Sequence, residues 1–287
     1  MDKIILGHNQ FFGVNHYSAK NGLENQKKFS DIGKACNVIE YAFNEGATGM
    51  MLSTHENSIK ILDYISNNTE MKNNLNIHIL LPYMNKYVRR LNQIGLISTL
   101  NEILLKNNKN KLSGIFDIGK GLITKDIFSF LKVLIDAELR PYLEYNVKSI
   151  FLHNSLTDIL SSFEMEDIID FFYSYINEKY KLSVGFCTLN YPLLHRSLDK
   201  KNYDNLNIML PFNKMGFQMS PDKNLYEKLI LEKNYNYIAM STMAGGKLRA
   251  EDAFSYIGSH QKIKSVVMGS SKIENIKSSF DNIKKFL

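Results

Sequence analysis

Eight short apolar runs recur along this chain, at residues 3–6, 49–53, 77–81, 149–152, 183–186, 207–210, 237–241 and 265–268. Longer amphipathic stretches separate them. Strand-like runs alternating with helix-like ones specify an α/β protein with a parallel sheet wrapped by helices. Eight strands is the number that closes a (β/α)8 TIM barrel, and such barrels run to about 250 residues as one unit. The expectation is therefore a single (β/α)8 barrel domain over residues 1–287.

The helical stretches support that count. Residues 30–44 place Ile32, Cys36, Ile39 and Phe43 on one stripe, with Ser30 or Asp31 as N-cap and Gly46 just past the end. Residues 57–65, 124–137, 164–178, 223–232 and 272–286 read as helices on the same grounds. Between the third and fourth strands the chain is longer than one crossover needs, which predicts an insertion at approximately 87–147. Within it, 114–118 reads either as a ninth strand or as a replacement for 3–6 in the barrel count.

Composition narrows the classes of function. A hydrophobic content of 44% supplies a large core, and no run approaches the roughly 20 apolar residues of a membrane span. The first apolar run is too short for a signal-peptide core, and Cys36 and Cys187 make neither a disulfide framework nor a CxxC pair. A cytoplasmic protein is expected. The net charge of +6 comes mostly from lysines scattered among asparagines, with a short basic cluster at Lys86, Arg89 and Arg90. No nucleic-acid motif accompanies it. The expected partner is a small molecule, with no membrane and no nucleic acid; no helix marks an oligomer seam.

The turn after the last strand has its own physics. A strand ending in Gly269, followed by Ser270, Ser271 and Lys272 and then a helix, offers backbone N–H groups, hydroxyls and charge to an anion. Gly245, Gly246 and Lys247 follow the seventh strand on the same side, and barrels commonly bind phosphate at these two loops.

Six segments in order resemble landmarks of the aldo/keto reductase superfamily: ILGHNQFFG (5–13), SIFLHNS (149–155), GFCTLN (185–190), LPFNKMG (210–216), MSTMAGGKL (240–248) and VVMGSSKIENIKSSF (266–280). The resemblance covers most of the chain from 149 onward and is patchy before it. It implies NADP(H) as cofactor, with the adenosine phosphate at Gly269, Ser270, Ser271 and Lys272. Phe212 is then expected to stack on a cofactor ring, and Asn213 to lie beside it. The family's reductases use an Asp, a Tyr, a Lys and a His, and here only His153 matches. The second strand reads GMMLSTHEN, without the Asp or the Tyr, and Pro82 and Tyr83 stand where the Lys is expected. Cys187 and Thr188 replace the Ser–Asn pair that grips the nicotinamide amide.

Polar residues at strand C-terminal ends are the catalytic candidates in this fold. They are His8, Asn9 and Gln10 after the first strand, Ser53, Thr54, His55 and Glu56 after the second, Tyr83 and Asn85 after the third, His153 and Asn154 after the fourth, and Asn213 and Lys214 after the sixth; of these, His8, His55, Glu56, Tyr83 and His153 are the expected catalytic residues. His55 and Glu56 can form an acid–base unit, His153 can orient or protonate a carbonyl oxygen, and Tyr83 can replace the missing proton donor. His8, His55, His153 and Glu56 have the chemistry of metal ligands but not the close spacing on one element, so no metal is expected. His16, His78, His195 and His260 read as surface or packing residues, and Cys187 as a buried apolar residue rather than a nucleophile. Two enzyme readings stand. One is an NADP(H)-dependent oxidoreductase acting on a polar, hydroxyl-rich carbonyl or alcohol through a non-standard proton-transfer site. The other is a same-fold isomerase, lyase or hydrolase using His55, Glu56 and His153 on a phosphorylated or sugar-like substrate. A non-catalytic binding subunit is disfavoured by a mouth so rich in His, Asn and Gln.

Overall fold

A computed structural model describes residues 1–14, 18–83, 127–199 and 201–287. Its strands are β1 (Ile4–Leu6), β2 (Gly49–Ser53), β3 (Asn76–Leu81), β4 (Val147–Leu152), β5 (Ser183–Cys187), β6 (Asn207–Pro211), β7 (Asn236–Met240) and β8 (Ile263–Met268). They run in chain order around a closed barrel in which neighbouring strands pair in parallel and β8 returns to β1. Residues 3–6 thus seed the first strand, and 114–118 does not replace them; that segment and most of the expected insertion lie outside the described residues.

The helices are α1 (Ala19–Lys28), α2 (Ile32–Asn44), α3 (Glu56–Asn67), α4 (Thr69–Asn74), α5 (Ile127–Leu139), α6 (Asn154–Ser162), α7 (Glu166–Tyr175), α8 (Tyr191–Leu198), α9 (Lys223–Glu232), α10 (Ala250–Gly258) and α11 (Ile273–Phe286). Asp31 caps α2, its carboxylate accepting the Gly33 N–H at 3.0 Å. Strand periodicity sorts the side chains into two cores. Outward residues such as Ile208 and Leu210 of β6 pack under the helices, whereas Ile5, Met51, Leu80, Phe151, Cys187, Met209 and Ile238 fill the barrel interior. Gly185 belongs to this inner packing, because a Cβ there would sit 2.2 Å from the Phe151 ring.

Below that layer, at the N-terminal ends of the strands, lies a buried polar chain. His78 Nδ1 is 2.7 Å from Ser149 Oγ, and its Nε2 is 2.8 Å from the Asp2 carboxylate. The expectation of a surface or packing role for His78 is corrected to a hydrogen-bonded floor residue, 1% exposed. Burial pushes the Asp2 carboxyl up, but hydrogen bonds from His78, Asn76 and Thr48 and the charge of His78 outweigh it. The carboxyl is held below its ordinary value. The opposite end of the barrel is closed below by the inner core and carries the strand C-termini and their loops.

Candidate active site

Along β2, Met51 faces inward and Leu52 outward, so the alternation turns Ser53 toward the barrel axis, and the chain then turns tightly, with the His55 N–H donating to the Ser53 carbonyl at 2.7 Å. His55 is the N-cap of α3, and its Nδ1 accepts the Asn57 N–H at 3.0 Å. His153 repeats the arrangement after β4: it caps α6, with Nδ1 accepting the Ser155 N–H at 3.2 Å. An imidazole nitrogen that accepts from an amide carries no proton, so both neutral rings hold theirs on Nε2. His8 is the reverse case. Its Nδ1 lies 2.9 Å from the Met51 carbonyl, which only accepts, so Nδ1 carries the proton and Nε2 holds the lone pair.

These residues belong to a ladder of rings across the ends of β1, β2 and β3. His8 lies 5.1 Å from Phe12, Phe12 stacks on His55 at 4.3 Å, and Tyr83 meets the edge of His55 at 4.8 Å. Tyr83 is fixed by its N–H, which donates to Thr54 Oγ1 at 3.0 Å. The His153 N–H donates to the Leu81 carbonyl at 2.8 Å, carrying the β3–β4 ladder one step beyond the strands. Tyr142 donates its hydroxyl to the His55 carbonyl at 3.2 Å. Phe12 and Tyr142 were not singled out from sequence; FF after His8 marks the first, and nothing marks the second.

Glu56 does not join His55. It is exposed on the first turn of α3, where its charge meets the positive end of the helix. Among the described residues no hydrogen bond or ion pair links the two, and His55 Nδ1 is already engaged. The structure does not bring the expected acid–base pair together. Among the described residues no group of three or more His, Cys, Asp or Glu is placed to hold a metal.

The β5–β8 side is built differently. Thr188 donates its hydroxyl to Asp158, which also accepts the Leu189 N–H at 3.0 Å. Burial drives the Asp158 carboxyl above its ordinary value, against these hydrogen bonds. Asn213 is fully buried and clasps its own loop, donating to the Phe217 carbonyl and accepting the Phe217 N–H, both at 2.9 Å. Phe212 is 0% exposed and stacks on Tyr256 at 5.6 Å, with His260 against its edge at 4.9 Å. It follows Ile208 and Leu210 outward, so it is a packing residue under α10 and not a platform in the mouth. Cys187 is buried against the Met240 sulfur at 3.8 Å, and burial pushes its thiol well up, which leaves it unsuited to be a nucleophile.

At the last two loops, Gly245 and Gly246 take φ of 71° and 92° and are exposed with Lys247. Ser270 does not present its hydroxyl: Oγ donates to the Lys272 carbonyl at 2.8 Å and accepts the Lys272 N–H at 3.1 Å. The turn is nevertheless open to an anion through its backbone. Lys272 occupies the N-cap of α11 without a side-chain cap, and Lys28 donates to the Ser271 carbonyl from α1. Gly269 lets Gln10 approach closely, because a Cβ there would lie 2.3 Å from Gln10 Oε1 and force that side chain to shift; Gln10 in turn donates to the Gly7 carbonyl at 2.9 Å. Lys28 was missed because it lies outside the β8 motif, and Gln10 was expected at the end of the first strand and not at this turn; only the folded chain brings them there.

No protein-family model and no curated protein matches this chain. Solved structures do. An aldo-keto reductase from Bacillus halodurans in its holo form superposes with a TM-score of 0.56 at 12% identity, covering 88% of this chain and 83% of that one. An aldo/keto reductase from Brucella melitensis gives 0.54 at 12% identity over 98% and 88%. An aldo-keto reductase from Bombyx mori in complex with NADP gives 0.53 at 10% identity over 97% and 83%. The chain has the fold of these enzymes across nearly its whole length.

Proposed function

We propose that this chain is an NADP(H)-dependent oxidoreductase of the aldo-keto reductase kind, acting on a polar, hydroxyl-rich carbonyl or alcohol with imidazole in place of the tyrosine proton donor. The observation that carries this reading is the set of opposed imidazole tautomers at one mouth. His8 keeps its Nδ1–H bond to the Met51 carbonyl whether or not Nε2 is protonated, so it can take up and release a proton as a general acid–base. His55 and His153 would lose their cap bonds on protonation at Nδ1. They serve instead as neutral Nε2–H donors that polarise a substrate oxygen. Tyr83, held against His55, is the second candidate for delivering the proton.

The anion end of a cofactor site is supported by the unblocked N-terminus of α11, with Lys28, Ser271 and Lys272 around it and Gly245, Gly246 and Lys247 alongside. When bound there, NADP(H) supplies the hydride. The ring end fits less well, since Thr188, Asn213 and Phe212 are committed elsewhere. That mismatch favours a second reading: an isomerase, lyase or hydrolase of the same fold that uses His8, His55 and His153 on a phosphorylated or sugar-like substrate.

Titration of the purified protein with NADPH, followed by fluorescence and repeated with Ser271→Glu, separates the two. The first reading expects saturable binding that weakens at least about tenfold in the variant, because a carboxylate then faces the phosphate. Absence of binding at high micromolar NADPH would sink it and leave the second reading.

A further inference from the structure

Buried polar atoms in a folded chain have hydrogen-bond partners, and an exception calls for a reason. Ser53 is such an exception: it is 2% exposed, and its Oγ has no hydrogen-bond partner among the described residues. Its backbone carbonyl is well served, accepting the Ser58 hydroxyl at 2.7 Å and the His55 N–H at 2.7 Å. Ser161 Oγ shares the condition, but it belongs to α6 in the outer layer, and His195 Nε2 of α8 lies 3.5 Å from the Glu232 carboxylate. Ser53 is the last residue of β2, in register with Leu80 of β3 and in phase with Met51, both of the inner core. The hydroxyl therefore stands on the inner face where the apolar core ends, two residues before the His55 cap.

A strand position of this kind is satisfied by an alanine as far as folding is concerned. An unpaired hydroxyl there lowers stability without any compensating contact in the ligand-free chain. We propose that Ser53 is a specificity-determining residue whose hydroxyl is reserved for a hydroxyl of the bound substrate at the inner face of the mouth. The inner residues nearest in register, Met51 and Leu80, are apolar, so the matching group is a neutral oxygen and not a carboxylate or phosphate. A serine hydroxyl both donates and accepts, so it pairs with a substrate hydroxyl in either sense. This inference rests on the oxidoreductase reading for its substrate class, but not for its stability consequence.

The test is Ser53→Ala in two measurements. Thermal unfolding of the ligand-free protein is expected to show a Tm unchanged or raised by about 2–4 °C. Carbonyl-dependent NADPH oxidation is then compared for glyceraldehyde and for propanal, which lacks the hydroxyls. The parent is expected to favour glyceraldehyde, and the variant to lose at least about tenfold of that preference in kcat/KM with propanal turnover unchanged. A variant that melts below the parent overturns the proposal, since the hydroxyl then has a structural partner. Undiminished discrimination overturns it as well. A parent inactive on both carbonyls counts against the oxidoreductase reading, and the melting comparison still decides the role of Ser53.

Discussion

The two sides of the barrel mouth are made from the same strand–turn–helix unit, yet they use their polar side chains in opposite ways. On the β1–β4 side, His8, Phe12, His55 and Tyr83 form a connected ladder of rings, and His153 lies beside it on the extended β3–β4 ladder. On the β5–β8 side, Thr188, Asn213 and Ser270 turn back onto Asp158, Phe217 and Lys272, and what faces outward is backbone, glycine and lysine. In the proposed function, the first side transfers protons and polarises an oxygen, and the second cradles charge. A polar residue at a strand end is thus not a site residue by position alone; its hydrogen bonds decide whether it is committed to the fold.

The sharpest way to break this contrast is to substitute on each side in turn. His8→Gln is expected to lower carbonyl-dependent turnover by about 10²–10⁴-fold, the usual contribution of a general acid–base. Thr188→Val is expected to change turnover only a few-fold while lowering Tm. Comparable losses from the two, measured as kcat/KM, would erase the distinction. Phe212→Ala tests the reassignment of that ring to the packing layer. It should destabilise the fold by about 3–5 kcal/mol in denaturant unfolding, leaving NADPH affinity of the folded fraction unaltered. A selective loss of affinity without a loss of stability would return Phe212 to the mouth.

A smaller effect belongs to the floor, remote from both sides. The Asp2 carboxyl titrates below its ordinary 3.8 in the folded chain. Its contribution to stability is therefore fully present above 3.8 and is lost as the pH falls through the depressed value. Melting curves in acid should fall more steeply for the parent than for Asp2→Asn. Parallel curves would mean that the Asp2–His78 contact does not stabilise the fold.

The sequence carried the barrel well because every strand is buried on both faces and reads as an apolar run; β2 spans the very residues expected. α1 was missed for the converse reason. It has almost no apolar stripe, Leu23 is 62% exposed, and it is held by the Ser18 cap and by Lys28 at a distant turn. In the mouth, the strand-end histidines were legible, but their tautomers were not, since these depend on which backbone group each Nδ1 meets. The outward turn of Phe212 was available in the two-residue period of Ile208 and Leu210. The resemblance of LPFNKMG to an aromatic–Asn motif led away from it. Glu56 was read as a partner of His55 from adjacency, although neighbouring residues at a helix start point in different directions.

The central claim is the division of roles among the imidazoles, and histidine side-chain ¹⁵N–¹H long-range correlation spectra of the neutral protein test it most directly. The account predicts Nε2–H rings for His55 and His153 and an Nδ1–H ring for His8, each assigned by its substitution. Observation of Nδ1–H in His55 or His153 would contradict it, because neither ring could then both cap its helix and present a donor to the substrate.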